Sequence, residues 1–506
     1  MKNIVKYTLF AVSAALLAVS CSLDQLPTDS VEYKEGARII ATVDDLNSFE
    51  AGILADYRAI HGGGAAVVED VMADGFNAVA GFGNNYGSVH RLDNSYTAAD
   101  SYIESYWSNR YLVIKDYNVL IDALCEEQNI VKGYEGASNL VKAEAYFFRA
   151  DAYLELIRHF AKNYDPDNDD PLGVPIVLHY DLYGRPSRSS VHTVYKQIKE
   201  DLDSAAVYLS EIPGEAMSTV PTQDALNALY ARYYLDIQDW DNAIKSADSV
   251  IKSGKYALSK TATEMEAEFL NDSGTEAIIQ MYGDKNRELP NTITAYTNIT
   301  PDADYDLVST PLFLPTKKLV SAYREADLRK AAWFSTDAYY SKINGSYYRG
   351  RFSTFTKYLG NPALYNSYPN GAHKTKPFMI GEQYLIKAEA QSRSGNIPGA
   401  KATINILQNA RGAAASTGSM SAIKDEWFRE TAGDGMRFTC LKRWGDGFDA
   451  REGQTGALAV NAIETGAYYD GRSLEADDYH FVWPIPSNEI RLNENLKPQN
   501  PGYGNN

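Results

Sequence analysis

Ala143-Glu144-Ala145-Tyr146-Phe147-Phe148-Arg149-Ala150 sits inside a longer stretch, Asn139 to Phe160, whose periodicity decides the fold. Ala143, Tyr146, Phe147, Ala150, Tyr153, Leu154 and Ile157 recur at i, i+3, i+4, i+7, i+10, i+11 and i+14, one continuous face of a helix. Alanines between large rings on that face let a neighbouring helix come close. The pattern returns with Leu226, Leu229, Tyr230, Tyr233 and Ile237, a turn at Gln238-Asp239, and then Ala243, Ile244, Ala247, Val250 and Ile251, with Gly254 as the left-handed stop. It returns again with Ile380, Tyr384, Leu385 and Ala388, a turn at Gly395-Asn396, and Ile397, Ala400, Ile404 and Leu407. Helices joined by such short turns pack antiparallel, as hairpins of the tetratricopeptide kind that nest into a superhelix.

Further helices are expected from Asp100 to Glu127 and from Thr193 to Ser210. The predicted fold is therefore mainly α. Tetratricopeptide-like hairpins occupy about residues 100–253 and 378–411 of a superhelical scaffold, and a large irregular loop and short-strand insertion occupies about 257–377. No Pro/Ser/Gly-rich linker divides the chain, so residues 34–506 read as a single domain.

At the N-terminus, Lys2 and Lys6 precede an apolar run from Tyr7 to Val19 and then Ser20-Cys21. The run is short for a bilayer span and reads as a signal peptide, residues 1–20, cut before a cysteine that becomes acylated. Ala18 stands where such signals usually carry Leu, and plain secretion is the alternative. Residues 21–33 would form the lipidated tether. Losing the leader moves the net charge from −18 to about −20. A chain so acidic, with no Lys/Arg-rich tract, repels phosphate backbones, which excludes nucleic acid as the expected partner.

No HExxH, GxSxG, Walker or dinucleotide-binding loop is present, so no catalytic residues are assigned and a binding protein is expected rather than an enzyme. Of the seven histidines, His90 and His159 read as surface or capping residues. Cys125 and Cys440 read as two buried thiols, with one disulfide as the sharper alternative. Asp165-Pro166-Asp167-Asn168-Asp169-Asp170 begins like a calcium loop, but Asp170 stands where the loop needs Gly and Ile176 where it needs Glu. A solvated acidic loop is the better reading. No cofactor or metal is expected, calcium being the weak alternative.

Several stretches, in order along nearly the whole chain, resemble the SusD/RagB family of outer-membrane lipoproteins of Bacteroidota. They are Cys21-Ser22-Leu23-Asp24 leading to Pro27; Trp107 with Tyr111, Ile114 and Asn118; and the Ala143–Ala150 block. They continue with Gly173-Val174-Pro175; Val194-Tyr195 to Ile198 with Asp201-Leu202; and Tyr384-Leu385-Ile386-Lys387-Ala388-Glu389-Ala390. Lys442-Arg443-Trp444-Gly445, Trp483-Pro484-Ile485-Pro486 and the ending Gln499-Asn500-Pro501-Gly502-Tyr503 complete the set. The chain departs from the family at Asp425 to Arg437, where Asp434-Gly435-Met436-Arg437 replaces a Glu-Gly-x-Arg element. The resemblance implies a cell-surface protein, lipid-anchored at Cys21 in the outer membrane, acting as a lid on a SusC-type TonB-dependent transporter. It implies capture of oligosaccharides, or of oligopeptides as in a RagB-like branch, without chemistry. A secreted hydrolase or a structural adhesin is the remaining alternative.

A ligand site of that kind needs rings to stack on a sugar face or clamp a peptide, beside amides and guanidinium groups. Two loops offer them: Asn77, Asn84, Asn85, Tyr86, His90 and Arg91 in one, and Tyr282, Arg287, Asn291, Tyr296, Asn298 and Tyr305 in the other. Trp107 and Trp444 are expected to be structural.

Overall fold

The computed structural model describes residues 38–288, 291–454, 456 and 461–504. The leader, Cys21 and the tether lie outside them. The scaffold helices are α1 (Val43–Ile60), α2 (Gly64–Met72), α3 (Gly87–Arg91), α4 (Ser101–Cys125), α5 (Glu135–Phe160), α6 (Val191–Leu209), α7 (Gln223–Asp236) and α8 (Trp240–Lys252). After α9 (Ala262–Leu270), α10 (Lys317–Ser321) and α11 (Leu328–Trp333) come α12 (Ile380–Arg393), α13 (Ile397–Ala410), α14 (Met420–Glu430) and α15 (Arg437–Trp444).

Short polar side chains start the helices by accepting from orphan N–H groups: Asp100 for α4, Ser190 for α6, Thr222 for α7, Asp239 for α8 and Asn396 for α13. The stops are as local. Gly254 and Gly395 take φ +68° and +85° just beyond α8 and α12, a region where a Cβ would be strained.

The helices pack as neighbours in sequence, α4 on α5, α5 on α6, α7 on α8, until α8 meets α12. The third hairpin therefore stacks on the second although more than a hundred residues separate them in the chain. Buried guanidinium groups lock these interfaces. Arg149 on α5 donates to both Asp201 oxygens on α6, at 2.9 and 2.6 Å, and to Asn118 Oδ1 on α4 at 2.8 Å. Arg232 on α7 donates to both oxygens of Glu382 on α12, at 2.6 and 2.8 Å, and to the Pro377 carbonyl.

Between α8 and α12 the chain makes its excursion. Strands Ala277–Ile279 and Phe378–Met379 pair antiparallel and close its base, and Asn291–Thr292 pairs with Ala372–His373 a little further out. Beyond this stem a four-stranded sheet runs in the order Ser346–Tyr348, Tyr340–Ile343, Asp306–Ser309, Ile299–Asp302, its central pair parallel. The expected insertion is thus present and more ordered than a loop. A buried charge cluster fastens it to the scaffold: Arg329 donates to Asp327, Glu426 and Glu430, and Arg411 to Glu276 and Glu430.

Two sequence expectations about the scaffold need correction. Cys125 is exposed and Cys440 buried, and both are free thiols, so the pair of buried thiols and the disulfide both give way. His159 is a core residue, its ring 2.7 Å from Glu69 and tilted against Trp483 with centroids 4.4 Å apart. Asp434-Gly435-Met436-Arg437 is the link between α14 and α15, where Gly435 N donates to buried Asp70 and Arg437 pairs with Asp74 at 2.8 Å. In the acidic loop, Asp165 and Asn168 accept from Asp167 N and Asp170 N, so these oxygens close their own turns. Among the described residues no group of His, Cys, Asp and Glu is placed to hold a metal ion, and no helix is long and apolar enough to cross a membrane.

Arg149→Met would strand Asp201 as a buried charge and is expected to lower stability by about 3–5 kcal/mol. Lys199→Ala, which breaks the surface pair with Asp203 on α6, should cost under about 1 kcal/mol; urea unfolding followed by circular dichroism compares the two. Burial works against the Glu430 carboxylate, but Arg411 and Arg329 hold it down to about 2. A carboxyl depressed below its ordinary 4.5 contributes stability that is present above that pH and lost as pH falls toward 2. Thermal midpoints should therefore drop across that window and drop less in Glu430→Gln.

Candidate ligand-binding surface

The two loops picked out by sequence divide into residues that face solvent and residues that the fold withdraws. Asn77 lies in strand Phe76–Ala78, which pairs with Phe313–Pro315, and its amide donates to the Arg451 carbonyl. His90, on α3, is fully buried: its Nδ1 meets the Val71 carbonyl at 2.7 Å, and Arg451 donates to the His90 carbonyl at 2.6 Å. Burial and the Arg451 charge hold that imidazole well below its ordinary pKa, hence neutral. Tyr296 stacks on Phe76 at 4.4 Å between ring centroids and sends its hydroxyl toward Asp70. These three cannot reach a ligand. Loop composition predicted polarity there, while the pairing of Phe76–Ala78 turned the same residues inward.

The rest of the first loop forms one bank of an open surface. Asn84 and Tyr86 both take φ +59°, which folds the loop tightly before α3. Asn84 Oδ1 accepts from Arg91 at 2.6 Å, Asn85 donates to the Phe82 carbonyl at 3.1 Å, and Tyr86 stacks on Tyr102 at 4.6 Å. Arg91 is fixed by Asp93 at 2.8 Å and lies 5.9 Å over the ring of Tyr469. The opposite bank is Glu464 to Arg472, which sequence reading missed: Glu464 accepts from Gly81 N at 3.0 Å, and Tyr468 is 47% exposed. A Tyr468-Tyr469 doublet between Gly466 and Gly471 was the available signal. Beside the first bank, at Tyr86, a groove of about 240 Å³ is lined by Gly62, Gly64, Tyr86, Tyr102 and Asn109.

The second loop splits in two. Asn291 is held against α1, donating at 2.8 Å to the Arg58 carbonyl and to Thr375. Tyr282 lies close by, its carbonyl accepting from Arg58 at 2.7 Å while its ring is exposed, and Arg287 is exposed in the adjoining turn. Asn298 is half-buried on Thr310.

Tyr305 is elsewhere, at the edge of the four-stranded sheet. It stacks on Tyr340 with centroids 3.9 Å apart and meets Tyr347 edge-on at 4.9 Å, with Arg349 5.2 Å over Tyr340. The hairpin turn of those strands brings Asn344 to 3.5 Å from where a Gly81 side chain would begin, so the tyrosine platform and the first bank adjoin. Tyr340, Tyr347 and Arg349 were not foreseen. The strands of Tyr340 and Tyr347 are four and three residues long, too short for alternation to announce a face.

The platform contains carboxylates, but not the arrangement that hydrolysis needs. Asp302 accepts from Lys342 at 2.7 Å and from Tyr347, and that bonding to Lys342 holds it below the usual carboxylate range. A glycosidase requires one carboxyl kept protonated as the acid. The surface can stack rings and donate or accept hydrogen bonds.

Comparison with known proteins agrees with this picture. Residues 27–235 match a family model described as starch-binding and associating with the outer membrane, and residues 195–503, more than half of the chain, match the SusD family model. A SusD-like protein P2 of Formosa agariphila is 24% identical, with 98% of this chain and 100% of that protein aligned. Among solved structures, a SusD superfamily protein of Bacteroides thetaiotaomicron superposes with a TM-score of 0.74 at 23% identity, covering 91% of this chain and all of the other. The surface glycan-binding protein A of Bacteroides fluxus gives 0.66 at 22%, covering 92% of this chain and all of the other. The chain belongs to the SusD family, whose members are outer-membrane-associated binding proteins and not enzymes.

Proposed function

We propose that this protein captures oligosaccharides at the cell surface and delivers them to a SusC-type TonB-dependent transporter, held to the outer membrane by a lipid on Cys21. The observation that carries the ligand class is the stack of exposed Tyr305 on half-buried Tyr340, with Tyr347 and exposed Arg349 beside it. A pyranose presents C–H groups on its faces and hydroxyls around its rim. A tyrosine platform takes the first and neighbouring guanidinium and amide groups take the second. Arg91, Asn84 and Asn85 across the adjoining bank extend the contact to an oligomer. The name of the Bacteroides fluxus neighbour, a surface glycan-binding protein, supports the same class. Family membership supports the SusC-type partner in this reading, and Ser20-Cys21 supports the anchor.

Calorimetry of the full mature chain against a panel of oligosaccharides and peptide pools tests the ligand class. At least one oligosaccharide should bind, and Tyr305→Ala should weaken it about tenfold or more, roughly 1.4 kcal/mol; binding confined to peptides would transfer the role to that class. Cys21→Ala should abolish labelling by a palmitate analogue and release the protein from the outer-membrane fraction.

A further inference from the structure

Away from that surface, four helices end at one cavity of about 160 Å³: α5, α7, α12 and α15 each contribute last-turn residues to its wall. Five cations line it, Arg158, Lys162, Arg393, Lys442 and Arg443, against two carboxylates, Asp236 and Glu389. Arg158 pairs with Asp236 at 2.6 Å, and Arg443 with Glu389 at 2.8 Å. The other three have no carboxylate. Lys442 is 7% exposed and donates to the carbonyls of Arg158 and Ala161. The side chains of Lys162 and Arg393 are exposed and have no hydrogen-bond or ion-pair partner.

Cations are common at helix C-termini, where they answer the carbonyl dipoles, and that is the plain explanation to be tested against magnitude. Each C-terminus carries roughly half a negative charge, and the start of α8 at Trp240 returns roughly half a positive one. Burial pulls the Lys442 ammonium down to about 7, so near neutral pH it carries roughly half a charge, and four ends and one start offset roughly 1.5 of roughly 2.5 unmatched charges. About one positive charge remains uncompensated there, in a protein whose net charge is −18. The remaining wall is aromatic, Tyr164, Tyr195 and Trp240, and the volume holds on the order of ten ordered waters. Such a space accommodates more than a bare ion.

We propose that this cavity is a binding site for one small oxyanion, a carboxylate or sulfate group, free or carried on a body about the size of a sugar ring. The anion would sit between Lys442 at the base and Lys162 and Arg393 at the rim, and the carrier would lie against the aromatic wall. The site is separate from the tyrosine platform, so neither reading depends on the other.

Calorimetry of the full mature chain at fixed ionic strength, with sodium sulfate, glucuronate and glucose as probes, tests it. Sulfate or glucuronate should bind with one-to-one stoichiometry, and glucose should not bind at this site. Lys162→Gln combined with Arg393→Gln changes two exposed side chains and leaves the fold intact by circular dichroism. It should weaken the anion at least tenfold, whereas Tyr305→Ala should leave anion affinity unchanged. No saturable anion binding, equal binding of glucose that is lost in the double variant, or anion affinity indifferent to the double variant would each overturn the proposal.

Discussion

A guanidinium taken out of water needs partners for its donors, and Arg149 on α5 finds them on two neighbouring helices, Asp201 on α6 and Asn118 on α4. The pair is bidentate and planar, so it fixes the rotation of α6 about its axis as well as its distance from α5. Apolar packing alone tolerates sliding, and the ion pair does not. Arg232 repeats the device one hairpin later and across a long gap in sequence, holding α12 against α7 through Glu382. Helical repeats so fastened present a stiff platform, and stiffness is what a receptor without chemistry needs from its scaffold.

That platform explains how a hundred-residue excursion can carry a binding surface without wandering. Its two ends are paired as strands at Ala277–Ile279 and Phe378–Met379, and Arg232 also grips the Pro377 carbonyl beside the exit. Further out, Arg329 and Arg411 tie the excursion to α14 through Glu426 and Glu430. The four-stranded sheet is consequently held, and the tyrosines at its edge adopt one mutual arrangement. Entropy that a free loop would lose on binding is lost already on folding.

The helical half of this architecture was legible because period 3.6 repeats over many residues, and because Asp239 and Asn396 announce helix starts as plainly as Gly254 and Gly395 announce stops. The hairpin boundaries followed within a few residues; α5 begins at Glu135, slightly ahead of its apolar stripe. The candidate surface was legible only as a region. Asn84, Asn85, Tyr86, Arg91 and Tyr305 do face an open surface, but Asn77, His90 and Tyr296 are the same residue types turned inward by one strand pair. Sequence shows which side chains could touch a ligand; which of them do depends on long-range pairings, such as Phe76–Ala78 with Phe313–Pro315, that carry no local signature. The bank from Glu464 to Arg472 carried a local signal in its tyrosine doublet, but its place beside the first loop did not show, since it reaches Gly81 across nearly four hundred residues.

Hydrogen–deuterium exchange of the mature chain, with and without a bound oligosaccharide whose mass is checked before and after, tests the central claim most directly. The account predicts slowed exchange confined to residues 81–91, 302–349 and 464–472, unchanged exchange in α5, α7 and α12, and an intact oligosaccharide. Protection spread through the helical hairpins, or a cleaved ligand, would contradict a rigid scaffold that binds without chemistry.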